Sequence, residues 1–257
     1  KTFIPVDIEG TKGYNIRQVF ESPNDEAFYG LGQHQADEFN YKGKNEILFQ
    51  YNTKVSIPVI VSNKNYGIFW DNYSVTKFGD PRDYAQLSDL KLFDKDGNEG
   101  GLTATYMVNG DANNVFVSRI ENTIDYENLT TVKKFPADFP FYNSKITWEG
   151  EIQSDDSGVH RFLLYYAGYT KIWIDGQLMA EKWRTAWNPS VAKFGVSMEA
   201  GKKYHIKLEW LPDGGVSYIG LKFLSPVDPS EQNKLSLSSE IGDQIEYYFI
   251  KGDSMDD

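Results

Sequence analysis

The sequence predicts an all-β fold of two β-sandwich domains, the second inserted in a loop of the first. Three observations favour this fold. Short apolar-alternating runs recur between turn residues, the first 96 residues hold no helical period that lasts ten residues, and aromatic residues make up 15% of the chain. Alternation with a period of two is the pattern of half-buried strands, and aromatic rings pack well on a pleated surface.

The first part of the chain carries the strand signals of one sandwich. Residues 14–20 form a candidate strand, and the Ser-Pro-Asn-Asp turn at residues 22–25 ends it. Residues 55–61 are an almost continuous apolar run that contains Pro58. Because proline cannot donate to a strand ladder, we expect this strand at a sheet edge or with a bulge. Another strand begins at Ile68.

A second series of strands follows a composition break at residues 93–101. Asp175-Gly176 stands between two alternating runs and predicts a β-hairpin. Short strands at this spacing are typical of a sandwich. The other candidate strands of the series are residues 146–152, 159–168, 194–198 and 204–210.

The end of the chain indicates how the two domains are connected. Residues 225–240 are polar and contain proline, as linkers do, and residues 243–250 then form a strand that could pair with the first part. An insertion at an exposed loop explains this order, because it keeps the ends of the host close together. We therefore expect the first domain in residues 1–96 plus 235–257 and the insert in residues 97–234.

Composition excludes several classes of function. The formal net charge is −11, and no basic stripe could release counterions from phosphates, so we expect no nucleic-acid partner. The chain has no cysteine, which excludes disulfides and thiolate metal sites. It also has no apolar run of about 18 residues, so we expect no membrane span. A neutral ligand such as a glycan suits this charge.

The sequence predicts no metal site and no cofactor. The three histidines have neither a helical partner four residues away nor a ligand cluster beside them. Asp94, Asp96 and Asn98 alternate like a calcium loop, but the glycine falls one position late and Thr105 stands where a bidentate Glu belongs. We interpret these residues as a turn. The Asp155-Asp156 pair also suits a turn.

Residues 26–50 (EAFYGLGQHQADEFNYKGKNEILFQ) and 66–72 (YGIFWDN) carry a family signature. They resemble the segment ahead of the catalytic barrel in glycoside hydrolase family 31, and most of all its α-xylosidases. The resemblance implies that Gln33 and His34 lie on a loop that faces the substrate cleft. Glycines at positions 30 and 32 would let the backbone turn sharply there. The alternative role for His34 is structural support of the loop.

The same resemblance implies a retaining α-xylosidase or α-glucosidase with two carboxylates about 5 to 5.5 Å apart. That family places both acids on a (β/α)8 barrel, and no run of alternating strands and helices here could build one. We therefore assign no catalytic residue and no catalytic activity to this chain. We expect the barrel beyond residue 257, as the partner of this non-catalytic N-terminal fragment.

Residues 146–224 resemble the protective-antigen-type β-sandwich, a module often attached to carbohydrate-active proteins. Some lectin relatives of this module hold calcium through adjacent aspartates, so the resemblance leaves calcium at Asp155-Asp156 as the alternative to a turn. Within it, residues 181–190 (EKWRTAWNPS) lie in a stretch that we interpret as too irregular for a strand. Trp183 and Trp187 could offer ring faces to a sugar, and Arg184 and Asn188 could donate hydrogen bonds to its hydroxyls. The structural alternative is that these residues pin a loop over the sandwich, with Arg184 stacked on an indole.

The sequence leaves three functions open. The first is the fragment of a family 31 enzyme that acts on xyloglucan-type oligosaccharides, with the insert extending the cleft. The second is a stand-alone carbohydrate-binding or adhesin-like protein, and the third is a structural spacer. The resemblance alone favours a periplasmic or secreted parent protein.

Overall fold

The structure is a computed structural model that describes residues 1–34, 38–51, 54–126, 135–140, 143–212 and 218–254. The chain divides into two units. Unit 1 holds Lys1–Arg82 and Val227–Asp257, and unit 2 holds Asp83–Pro226. Among the described residues, the regular elements of both units are strands, apart from 3-10 turns at Leu87–Asp89, Val108–Gly110 and Pro229–Glu231. The predicted all-β class and the insertion of one sandwich into a loop of the other are confirmed.

Unit 1 packs two antiparallel sheets around one core. A five-stranded sheet has the order β1-β2-β20-β7-β4, and a four-stranded sheet has the order β21-β6-β5-β3. Its strands are β1 (Thr2–Ile8), β2 (Thr11–Glu21), β3 (Phe28–Gln33), β4 (Glu46–Leu48), β5 (Val55–Ser62), β6 (Tyr66–Trp70), β7 (Thr76–Phe78), β20 (Lys234–Gly242) and β21 (Tyr247–Lys251). Trp70 of one sheet and Leu237 of the other are fully buried in this core.

Unit 2 is the larger sandwich. Its seven-stranded sheet has the order β11-β10-β13-β18-β15-β16, with β9 beside β13. Its five-stranded sheet has the order β12-β19-β14-β17, with β8 beside β19. Its strands are β8 (Ala85–Gln86), β9 (Lys91–Phe93), β10 (Leu102–Met107), β11 (Val115–Glu121), β12 (Ile124–Asp125), β13 (Lys145–Gln153), β14 (Gly158–Tyr166), β15 (Gly168–Ile174), β16 (Gln177–Arg184), β17 (Ser190–Met198), β18 (Lys203–Leu211) and β19 (Ile219–Leu224).

The predicted hairpin of unit 2 is present. Strands β15 and β16 pair in antiparallel register, and Asp175-Gly176 connects them with φ angles of 47° and 76°. Two successive positive φ angles are those of a type I′ turn, whose twist matches the flanking strands. The hairpin places β16 at the edge of the seven-stranded sheet.

The borders of the units differ from the expected ones. Residues 83–96, expected in the first domain, contribute β8 and β9, which pair with β19 and β13 of unit 2. Residues 227–234, expected in the insert, lie in unit 1. Strands of two or three residues carry too little alternation to indicate which core they join.

The interpretation of residues 225–240 as a linker is wrong for their second half. Strand β20 begins at Lys234 and lies inside the five-stranded sheet, between β2 and β7. Two of its buried serines have polar partners: Ser239 Oγ accepts the indole N–H of Trp70 at 2.9 Å, and Ser236 Oγ accepts Arg17 Nε at 2.7 Å. Leu235 and Leu237 fill the core.

Pro58 does not place its strand at a sheet edge, because β5 lies between β6 and β3. The ladder to β3 is irregular between Gly30 and Gly32, and the ladder to β6 begins only at Val59. The missing N–H of Pro58 therefore falls outside regular pairing, so the bulge was the correct alternative.

The Gly-Leu-Gly segment of β3 requires glycine at its third position, residue 32. Gly32 has a φ of 99°, and a methyl group there would lie 2.1 Å from the carbonyl oxygen of Val55. A side chain would thus be strained and would also clash with the neighbouring strand. This close approach explains why the sequence motif carries glycine here.

A buried polar network crosses the core of unit 2. The Glu121 side chain, which is 1% exposed, accepts hydrogen bonds from Tyr106 Oη and Trp148 Nε1, each at 2.7 Å, and from Tyr126 Oη at 3.1 Å. Arg119 Nε lies 2.6 Å from the same carboxylate. Burial raises the pKa of both tyrosines, so they remain neutral donors. This satisfied network offsets the desolvation of the charge.

Candidate functional site

The tryptophan-rich segment lies at an edge of unit 2. Contrary to the interpretation of an irregular stretch, residues 181–184 belong to β16, the edge strand of the seven-stranded sheet. Residues 185–189 then lead to β17, the edge strand of the other sheet. The side chains of Trp183 and Trp187 are 61% and 79% exposed. Both rings are therefore accessible to a ligand.

Trp183 and Arg184 point to opposite faces of β16. Trp183 is paired with Tyr169 and Arg184 with Gly168 on β15, and successive side chains of a strand alternate between faces. One sugar ring stacked on the face that carries Trp183 would therefore lie away from Arg184. The structure separates these two candidate contacts although they are adjacent in sequence.

Arg184 and Asn188, by contrast, are brought together. Arg184 Nε donates to the carbonyl oxygen of Asn188 at 3.0 Å, and the backbone N–H of Asn188 donates to the carbonyl of Thr185 at 3.1 Å. These bonds hold the short loop that presents Trp187. The geometry gives Arg184 a bracing contact and leaves the two indoles as the exposed groups.

The face that carries Trp183 has two neighbours that sequence reasoning missed. Tyr169 donates from its hydroxyl to Glu181, and Lys171 Nζ lies 3.0 Å from the same carboxylate. The hydrogen bond from Tyr169, followed by that from Lys171, holds the pKa of the Glu181 carboxyl below its ordinary value of 4.5. The alternation of Tyr169, Lys171 and Trp173 could have indicated this face, but only the hairpin register shows which residues oppose them.

The two candidate residues at the end of the Gly-Leu-Gly segment, Gln33 and His34, differ in solvent exposure. Gln33 is exposed, whereas the His34 side chain is 2% exposed. Its Nε2 donates to the carbonyl of Leu31 at 2.7 Å, and its Nδ1 lies 3.5 Å from Glu46 Oε1. Lys54 Nζ donates to the same Glu46 oxygen at 2.9 Å. These contacts hold the His34 side chain against Leu31 and Glu46.

The remaining acidic candidates are engaged in turns and ion pairs. Asp94 accepts the backbone N–H groups of Asp96 and Asn98 at 2.9 and 2.8 Å, which is the geometry of a turn. Asp155 lies 2.7 Å from Lys91 Nζ. Across the residues that the structure describes, no three His, Cys, Asp or Glu side chains gather into a possible metal site. None of the helical turns in the described part of the chain has the length and apolar character needed to cross a bilayer.

Comparison with known proteins identifies both units. The PA14 domain model matches residues 97–225, half of the chain, and the glycosyl hydrolase 31 N-terminal galactose mutarotase-like domain matches residues 6–78. A crystal structure of a GH31 α-xylosidase from Xanthomonas citri superposes with a TM-score of 0.91 and 40% identity over 98% of this chain and 28% of that one.

Curated relatives match shorter segments. An α-xylosidase of Saccharolobus solfataricus is 46% identical over 71 residues, which are 24% of this chain and 10% of the relative. Anti-sigma-I factor RsgI3 of Acetivibrio thermocellus is 24% identical over 181 residues, which are 68% of this chain and 27% of the relative. The chain thus spans little more than a quarter of these relatives at most. It belongs to the PA14 domain family through unit 2, and its unit 1 is the N-terminal galactose mutarotase-like domain of glycoside hydrolase family 31.

Proposed function

We propose that this chain is the part of a family 31 α-xylosidase that accompanies its catalytic barrel, in an enzyme acting on xyloglucan-type oligosaccharides. The observation that carries the proposal is the match to the Xanthomonas citri α-xylosidase over 98% of this chain. Two carboxylates of the barrel would hydrolyse the α-xylosidic bond by double displacement. The role of this chain is to support the barrel and to contact the glycan.

The outer face of the four-stranded sheet of unit 1 carries apolar side chains that suit contact with a protein partner. Register pairs Val59 with Phe69 and Phe69 with Tyr248, and pairs Val61 with Tyr29. The Phe69 and Tyr248 rings stack at 5.7 Å. Apolar residues on the side of a sheet opposite its core need a cover, and a contiguous apolar patch marks an interaction surface. The occupant we propose is the catalytic barrel of the parent enzyme.

Unit 2 would extend the substrate cleft through its exposed indoles. A pyranose has an apolar C–H face, and covering about 50 Å² of apolar surface on an indole contributes about 1.3 kcal/mol. Loss of one such ring corresponds to about tenfold in affinity. Trp183 and Trp187 are the candidates for this contact because their exposed ring surface is available for stacking.

The proposal is tested with the 257-residue chain and with the parent enzyme. The chain should bind a xyloglucan oligosaccharide in calorimetry, about tenfold more weakly after Trp183→Ala or Trp187→Ala, and should not hydrolyse an aryl α-xyloside. In the parent, the same changes should lower kcat/KM for the oligosaccharide and spare the aryl xyloside. Tyr73→Ala, which removes a fully exposed ring of unit 1, is the matched control.

Each outcome distinguishes the alternatives. Hydrolysis by the pure chain would overturn the non-catalytic assignment. Absence of any glycan binding, with unchanged kinetics of the parent variants, would favour the spacer. Tight binding by the isolated chain, with no effect of the variants on the parent, would favour the stand-alone binding protein.

A further inference from the structure

A row of three side chains crosses the outer face of the seven-stranded sheet in unit 2. Register pairs Trp183 of β16 with Tyr169 of β15, and Tyr169 with Leu211 of β18. Residues directly paired across antiparallel strands point to the same face. Their neighbours Ile172, Leu208 and Trp210 are buried, so this row faces away from the core. We infer that Trp183, Tyr169 and Leu211 form one platform on which a saccharide stacks, an inference that rests on the proposed function.

The dimensions of this platform suit a short glycan. Neighbouring strands lie about 4.8 Å apart, so three strands hold the row over about 10 Å, the length of roughly two sugar rings. Trp183 and Leu211 are exposed, and Tyr169 between them is half-buried. The row therefore offers a continuous apolar strip, with the largest and most exposed ring at the sheet edge.

A charged row runs beside the platform. Glu181 is paired with Lys171, and Lys171 with Glu209, on the same face and two residues along each strand. Two residues of a strand span about 6.7 Å, which is within reach of the hydroxyls of a ring lying on the apolar strip. Glu209 is itself paired with Lys145 at 2.9 Å and Lys207 at 3.1 Å.

This neighbouring row suits a neutral polyhydroxylated ligand. Carboxylates and ammonium groups alternate along it, so acceptors and donors are both present and their charges largely compensate. An anionic or a cationic ligand would have to break one of these ion pairs, since Glu181 is paired with Lys171 and Glu209 with Lys145 and Lys207. A glycan without charges meets donors and acceptors without either penalty.

The central ring of the platform is held in place before any ligand arrives. Tyr169 donates its hydroxyl to Glu181, and Lys171 Nζ lies 5.4 Å from the Tyr169 ring centroid. The ion pair of Lys171 and Glu181 at 3.0 Å completes the triangle. A ring fixed in this way loses little conformational freedom on binding, which favours affinity.

The experiment measures binding of a xyloglucan oligosaccharide to the full 257-residue chain by calorimetry. Tyr169→Ala and Leu211→Asp should each weaken binding by about tenfold, the effect of about 1.4 kcal/mol. Tyr169→Phe keeps the ring and should stay within about threefold of the wild type. Leu178→Asp is the matched control, because Leu178 is an exposed leucine paired with Trp173 on the same outer face, away from the row. It should change binding by less than about twofold.

Thermal unfolding of each variant checks that the fold is retained, and Leu211→Asp alone tests the row where Tyr169→Ala unfolds. Binding that Trp183→Ala weakens but that Tyr169→Ala and Leu211→Asp leave unchanged would overturn the platform and leave the proposed function standing. Absence of binding by the wild type would overturn the platform and the glycan contact of unit 2, and would leave the assignment to a family 31 enzyme standing. A loss of the same size in Leu178→Asp would also overturn the platform, because the effect would then be general to the sheet.

Discussion

Substitution of Glu121 by glutamine tests whether the buried network stabilises unit 2 through its negative charge. Glutamine retains one acceptor oxygen, which can still serve Tyr106 and Arg119. Its NH₂ group would face the indole N–H of Trp148, which now donates to Oε2 at 2.7 Å. Two opposed donors leave one buried donor unsatisfied, at about 1–3 kcal/mol, and two charge-assisted hydrogen bonds become neutral, at about 1 kcal/mol each. The sum is a loss of about 3–5 kcal/mol.

The assay is thermal and urea unfolding of the full chain, followed by tryptophan fluorescence, since Trp148 lies inside the network. A loss of this size should lower the unfolding temperature of unit 2 by about 10 °C. Glu149→Gln is the matched control, because Glu149 is half-exposed and lies 3.3 Å from His205, so its loss should stay below about 0.5 kcal/mol. Equal effects of the two variants would refute the reasoning.

Two further predictions concern single residues. Gly32→Ala should destabilise unit 1 by about 3 kcal/mol. Gly10 has a φ of 85° and no atom within 4 Å of an added methyl group, so Gly10→Ala should lower the free energy of unfolding only by the roughly 1 kcal/mol of backbone strain. Chemical denaturation measures both losses, and equal losses would contradict the clash with Val55. Burial lowers the pKa of His160, so its neutral form, which accepts from Ser154 at 2.8 Å, should stabilise unit 2 fully above pH 6.5 and less as the pH falls below that value. Urea midpoints at pH 5 and 7 should differ less in His160→Asn than in the wild type. An unchanged difference would show that His160 does not cause the pH dependence of stability.

The alternation of apolar and polar residues predicted the strands that have one face in the core and the other in solvent. The alternating runs that became β13, β14 and β18 each put apolar side chains on the core face and polar ones outside. Strand β20 was missed because buried serines replace apolar residues along it. Trp70 and Arg17, which bond to its serines, lie more than 160 residues away in sequence, so no local pattern predicts these contacts.

The candidate site was predicted only in part for a similar reason. The exposure of Trp183 and Trp187 agrees with their selection as candidates, although their binding role is a proposal. Local sequence does not reveal that Arg184 faces away from Trp183, because that depends on strand β16 continuing through both residues, in a stretch that was interpreted as irregular. Leu211 joins the same row only through the register of β18 with β15, and register between distant strands is set by the whole sheet.

The way in which unit 2 interrupts unit 1 links their stabilities through the chain itself. Strands β7 and β20 are antiparallel neighbours, with Phe78 opposite Leu237, so unit 2 occupies the place of a hairpin connection. Within unit 2, Ala85 is opposite Phe223, so the folded insert keeps its entry and exit points side by side.

Unfolding of unit 2 would turn that short connection into a loop of more than a hundred residues. Loop closure costs about 0.6 kcal/mol for each doubling of length, so the change from a hairpin loop would cost unit 1 about 2 kcal/mol. A saccharide that binds folded unit 2 would therefore protect unit 1 from melting without touching it.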